Sequence, residues 1–250
     1  MNRILFRGAE LDAAGRLCVE DRRAAHLLDV LKARPGQVVR LGLVNGPRGR
    51  GTVEAIAGRR VTLRWEPDGE PPSVPPVDLL LALPRPKVLR RLWAPLAALG
   101  VGRIVLVNAA RVERQYFDTH WLQPAAYEPL LLEGLEQAGD TRLPEVAVRR
   151  RFRPFVEDEL ESLWPATLRV SAEPGAPGSM TALRRKPGER MLVAVGPEGG
   201  WTEFELRLLD ARGFRRVGLG ERTLRSDTAC IALLALAHEV ARRDGTGEVP

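Results

Sequence analysis

The chain has 250 residues, 38 Lys and Arg against 32 Asp and Glu, a net charge of +6 and hydrophobic residues at 44%. That length suits one large domain or two modest ones, and the apolar content supports a packed core, which excludes collagen-like, coiled-coil and disordered architectures as global descriptions. Its apolar runs fall short of the roughly 20 residues that span a bilayer, and residues 1–15 lack the basic-then-apolar layout of a signal peptide, so a soluble cytoplasmic protein with no membrane partner is expected.

In chain order, short β-rich runs over 3–6, 38–43, 51–56 and 60–65, separated by Gly, Pro and Asn turns, predict a small barrel-like sheet. One helix is predicted over 24–32. Residues 66–76, EPDGEPPSVPP, hold five prolines and read as a stiff linker. Beyond it, strands over 77–83, 103–107, 167–171, 191–195 and 215–219 alternate with helices over 88–99, 124–137, 203–212 and 228–243. That alternation predicts an α/β domain with a mainly parallel sheet, whose ligands sit at the carboxyl ends of strands. Residues 1–76 carry 13 basic and 9 acidic side chains against 25 and 23 in the remainder, so most of the excess charge falls before the linker.

Two glycine-rich loops stand at such strand ends. Gly196-Pro197-Glu198-Gly199-Gly200 follows the strand over 191–195, and Thr202 with Glu205 has the spacing of a capping box for the next helix. Leu219-Gly220-Glu221-Arg222-Thr223-Leu224-Arg225-Ser226-Asp227-Thr228-Ala229 feeds a helix apolar almost all round, as suits burial by its own domain and by a second subunit. Each loop also has a purely structural reading: a Gly/Pro turn for the first, and a helix cap at Ser226 or Asp227 for the second. The chain holds no G-x-G-x-x-G after a strand, no Walker-type GK[ST], no G-x-S-x-G and no H-E-x-x-H. Its two cysteines (Cys18, Cys230) and three histidines (His26, His120, His238) show no ligand spacing, so no metal is expected. Only three of the 38 basic residues are lysines; arginine forks suit phosphates, but a codon bias accounts for the excess equally well.

The pair GPEGGW and LGERTLRSDTA, each opening a helix, resembles the signature of the SPOUT methyltransferases, specifically the family that methylates N3 of a uridine in 16S ribosomal RNA. His26-Leu27-Leu28-Asp29-Val30-Leu31-Lys32 with Pro35-Gly36 resembles its N-terminal PUA-like β-barrel, and Ala98 to Val101 with Leu135 to Gln137 resembles its central helices. The resemblance implies a PUA-like RNA-binding domain over 1–70 and a SPOUT domain over 77–250 with a deep trefoil knot. It also implies bound S-adenosylmethionine, a homodimer, and ribosomal RNA of the small subunit as partner.

Carried over by motif, the cofactor site comprises Ala172, Gly196, Pro197, Glu198, Gly199 and Gly200, then Leu219, Gly220, Leu224, Arg225, Ser226, Thr228 and Ala229. Arg225 is the expected stabiliser of a uridylate anion, with Glu198 and Asp227 as candidate bases; Glu198 as a loop orienter and Asp227 as a helix cap are the competing roles. Arg3, Arg7, Lys32 and Arg34 are expected to contact RNA, against a plain solvated face. The run 149–153 is a second basic candidate, balanced by the acidic 157–159. The chain departs from the family at Asp140, where an arginine is usual and Arg142 is the candidate replacement, and at Ala98, Lys32 and Ser226-Asp227. A related RNA target, or a non-catalytic RNA-binding assembly protein on the same fold, are the alternatives.

Overall fold

In the first part of the chain, alternating apolar residues generate a five-stranded sheet: β1 (Ile4–Phe6), β2 (Arg16–Val19), β3 (Val38–Leu43), β4 (Arg48–Ala57) and β5 (Arg60–Pro67), in the order β1-β3-β4-β5-β2. The β1–β3 pair is parallel and the others are antiparallel, with a bulge between Val53 and Ala55 that curls the sheet. Between β2 and β3, α1 (Arg22–Ala25) is capped by the Asp21 side chain, which accepts from the Arg23 N–H, and widens into a π turn over His26–Val30. Phe6, Leu17, Leu27, Leu41 and Leu63 are buried to 1% exposure or less and form the core under this sheet. The structure, a computed structural model, describes residues 2–243.

The described chain separates into two compact units, residues 2–74 with Leu132–Leu143, and Pro75–Leu131 with residues 144–243. The stretch Leu132–Leu143, expected in the second domain, groups with the first because its backbone is bonded there. The Glu136 carbonyl accepts from Asn2 and Arg3, Asn45 N–H donates to the Thr141 carbonyl at 2.8 Å, and the buried Thr141 hydroxyl donates to the Gly46 carbonyl at 2.7 Å.

The second unit is built on β6 (Val77–Ala82), β7 (Val101–Val107), β8 (Glu145–Arg149), β9 (Leu168–Ala172), β10 (Met191–Val195) and β11 (Arg215–Val217), all parallel, in the order β11-β9-β10-β6-β7-β8. Its helices are α2 (Pro86–Leu99), the first half of α3 (Pro124–Ala138), the broken segment of α4 (Phe152–Pro154) and α5 (Leu160–Leu163), α6 (Glu203–Ala211) and α7 (Ser226–Arg243). Every residue of β6 and β10 is buried, as expected of central strands covered on both faces. One of them is a carboxylate. Asp78 accepts from the Trp164 indole (2.8 Å), the Arg103 backbone (2.8 Å) and the Arg190 guanidinium (2.6 and 2.9 Å), so its burial at the amino end of the sheet is fully compensated.

Because β10 lies between β9 and β6, and β11 lies beyond β9, the turns that leave β9, β10 and β11 emerge along one carboxyl edge. Strands β2 and β8 and the helical segment of α4 and α5 were not foreseen. Trp93, Trp164 and Trp201 are buried, and Trp121 is half-buried beneath the Arg90 guanidinium.

Candidate active site at the carboxyl edge of the parallel sheet

The loop after β10 is held from below. Gly200, at φ +76°, closes the turn by donating to the Pro197 carbonyl at 2.8 Å. A Cβ on Gly196 would stand 3.1 Å from the Trp201 indole, so glycine lets the backbone lie directly on that ring. The capping box expected at α6 is present: Thr202 Oγ1 accepts from Glu205 N–H, and the Glu205 carboxylate accepts from Thr202 N–H and Oγ1, both at 2.8 Å. The other oxygen of the buried Glu205 accepts from Ala110 N–H at 2.7 Å, and Arg111 donates to the Gly199 carbonyl. The turn after β10 is therefore anchored to the turn after β7.

The turn after β9 packs on the turn after β11. Glu173 N–H donates to the Val217 carbonyl at 3.0 Å and Gly218 N–H to the Gly178 carbonyl at 2.9 Å, while a Cβ on Gly178 would fall 2.2 Å from the Arg216 carbonyl oxygen. Gly220, at φ +98°, then turns the chain toward α7, which begins at Ser226, two residues before the expected start.

These three turns line a cleft that opens to solvent. Of the expected residues, Ala172, Gly196, Pro197, Glu198 and Gly200 line it from β9 and β10. Leu219, Gly220, Leu224, Ser226 and Ala229 line it from the other side. Gly199 and Thr228 are not in its wall: Gly199 is held by Arg111, and Thr228 points away on the exposed face of the first turn of α7. The reading from sequence missed Glu173, Pro174, Val195, Val217 and Leu233, and also Arg222 and Thr223. Leu233 was recoverable, since a residue four places beyond Ala229 lies on the same helical face.

Arg225 lies beside this cleft in a second hollow of about 810 Å³, shared with Arg85, Val88 and Arg91 of the α2 start and with Glu198, Thr223, Leu224, Ser226 and Asp227. Both candidate bases are ion-paired there: Glu198 with Arg85 at 2.8 Å, and Asp227 with Arg91 at 2.8 Å. Asp227 also accepts from the Thr228 N–H at 2.9 Å; it lies inside the first turn of α7, whose first helical bond is accepted by the Arg225 carbonyl, so neither it nor Ser226 stands at the expected cap position. The Arg225 guanidinium has no protein partner among the described residues. Arg85 and Arg91 were not foreseen; their signal was the position of an arginine-rich helix start directly after a strand end.

In the first unit, Arg3 is not a free RNA contact. Its guanidinium is partly buried and donates to the carbonyls of Gly139 (3.1 Å), Leu41 (2.6 Å) and Gly49 (3.2 Å). Burial, reinforced by Arg48 and Arg40, pulls it below the usual arginine range. Arg7, Lys32 and Arg34 are exposed, with Lys32 at φ +52°. Arg142 does not stand in for the missing family arginine, since it donates to the carbonyls of Pro72 and Asn45, while Asp140 pairs with Arg48. In the run 149–153, Arg149 pairs with Glu159 and Arg153 with Glu157, the self-compensated arrangement.

The family model for the RNA methyltransferase domain matches residues 70–238. A ribosomal RNA small subunit methyltransferase E of Treponema pallidum is 32% identical over 252 residues, covering 97% of this chain and 94% of the relative. The chain belongs to the RNA methyltransferase family. Among these methyltransferases, the small subunit enzyme E of Mycobacterium bovis is 27% identical, again over 97% of this chain and 94% of its own. For the fold, the crystal structure of a methyltransferase E from Neisseria gonorrhoeae bound to S-adenosylmethionine superposes with a TM-score of 0.76 at 22% identity, covering 96% of this chain and 98% of that one. The α/β architecture, a curled N-terminal sheet and a parallel-sheet domain, is thus shared with that structure.

Proposed function

We propose that this chain transfers a methyl group from S-adenosylmethionine to N3 of a uridine in small-subunit ribosomal RNA, acting as a cytoplasmic homodimer with a knotted SPOUT domain. The observation that carries the reading is the apolar, glycine-lined cleft between the turns after β9, β10 and β11, at the carboxyl edge of the parallel sheet where ligands of such folds bind. Its composition fits the cofactor: Val195, Leu219, Leu224 and Leu233 offer an apolar wall for adenine, and the glycine backbone at 196, 200 and 220 permits close approach to ribose and the amino acid. When bound, S-adenosylmethionine supplies a methyl already activated by its sulfonium.

What remains for the protein is to make N3 nucleophilic and to aim it. Uridine N3 carries a proton, so a carboxylate must accept it while a cation meets the charge that appears on O2 or O4. In this reading Arg225, which lines the hollow beside the cleft, takes the second task. Glu198, which lines both cavities, and Asp227 are the acceptors on hand. The exposed Ile231 on α7 supplies apolar surface for a second subunit.

Calorimetric titration with S-adenosylmethionine, together with mass-spectrometric mapping of ribosomal RNA from cells with and without the gene, tests the reading. Binding and loss of one 3-methyluridine are expected; a folded protein that binds no cofactor overturns it. In the variant Arg225→Ala, methyl transfer should fall by about 10²- to 10³-fold, with cofactor affinity nearly unchanged. Unaltered turnover removes Arg225 from the mechanism.

A further inference from the structure

The second hollow is lined by three arginines, and two of them are held by the carboxylates named above as candidate proton acceptors. We infer that this hollow grips a backbone phosphate of the target RNA, and that Arg85–Glu198 and Arg91–Asp227 form a latch opened by that phosphate. The inference rests on the proposed reading that RNA is the substrate.

The geometry supports an exchange over a fixed structural pair. Both arginines are mainly solvent-exposed, 62% for Arg85 and 58% for Arg91, whereas their partners are more sheltered, 39% for Glu198 and 19% for Asp227. Ion pairs whose arginine lies in water hold weakly, so a competing anion displaces the carboxylate at little cost. Each contact engages one nitrogen of a fork that carries five N–H donors, and a phosphate offers oxygens spaced for two of them. Arg225 adds a third positive group with no side-chain partner among the described residues. Once the phosphate takes Arg85 and Arg91, Glu198 and Asp227 lose their counter-ions and become free to accept a proton. Loss of the latch would thus couple arrival of the RNA to readiness of the base. Arg85 and Arg91 are positioning residues in this scheme.

Equilibrium binding of purified, unmethylated small ribosomal subunits to the intact protein, measured over a range of salt, is the test. Arg85→Ala and Arg91→Ala should each weaken binding by about tenfold and lower the slope of log K against log salt by about one. Cofactor affinity should be unchanged, and Arg91→Lys should restore the slope. Asp227→Asn should bind RNA more tightly than the parent while turning over more slowly, because the competing carboxylate is gone. An unchanged salt slope in both alanine variants overturns the inference, as does weaker RNA binding by Asp227→Asn. If instead the parent binds the subunits with these slopes but methylates nothing, the proposed reaction fails and the phosphate grip stands.

Discussion

Arg3 and Arg225 look alike in the sequence, each a basic residue near a turn, yet one is spent on three backbone carbonyls and the other faces an open hollow. Nothing local separates them, because the carbonyls that hold Arg3 come from residues 38 to 136 positions away. The two cysteines divide in the same way. Burial, with a smaller contribution from Asp227, pushes the Cys230 thiol up to about 12, while Cys18 is exposed. Only the thiolate reacts quickly, so a chromogenic disulfide reagent should titrate one thiol in the native protein and two in denaturant. Two fast thiols in the native state would mean that the start of α7 opens.

At the level of elements, periodicity recovered the central strands and long helices, and it missed the short pieces at the margins. β2 and β8 are edge strands of four and five residues, and β8 has no residue buried on either face. An edge strand has one neighbour and so needs little apolar patterning, which leaves little to read. The cap of α6 was legible because its spacing is local, but the Glu205 bond to Ala110 was not, being a contact across 95 positions. Thr202→Ala should cost about 1 kcal/mol in thermal or denaturant unfolding. Glu205→Ala should cost about 1–3 kcal/mol beyond that by stranding the Ala110 N–H, and should weaken cofactor binding by loosening the turn over 196–200. Equal losses in the two variants would show that the Ala110 bond contributes nothing.

On the scale of the whole molecule, the charge argument changes with the boundaries. Residues 1–76 alone carry a balance of +4, but Leu132–Leu143 brings Glu133, Glu136 and Asp140 against Arg142, so the first unit holds 14 basic and 12 acidic residues, a balance of +2. The larger unit then holds 24 and 20, a balance of +4, and its arginines line the hollow beside the cleft. Stability should also depend on pH through α7. Burial holds the His238 imidazole below its usual range, against a smaller opposing effect of the Gly100 backbone. The unfolded chain therefore takes up this proton first as pH falls. Its contribution is neutral above about pH 7.5 and becomes destabilising as pH drops through the ordinary histidine value of about 6.5. The melting temperature should decline from pH 7.5 to 5.5, and less steeply in His238→Gln; parallel profiles would exclude His238 as the cause.

The sequence by itself determined the parallel α/β domain, the two glycine loops and the family to which they belong, because strand burial, helix capping and turn chemistry are written in residues a few places apart. Tertiary structure decided which side chains line the cleft, that Arg85 and Arg91 join Arg225 around one hollow, and that a twelve-residue stretch of the second half is built into the first unit. Those outcomes depend on strand order and on contacts between distant segments, and no local pattern of residues carries either.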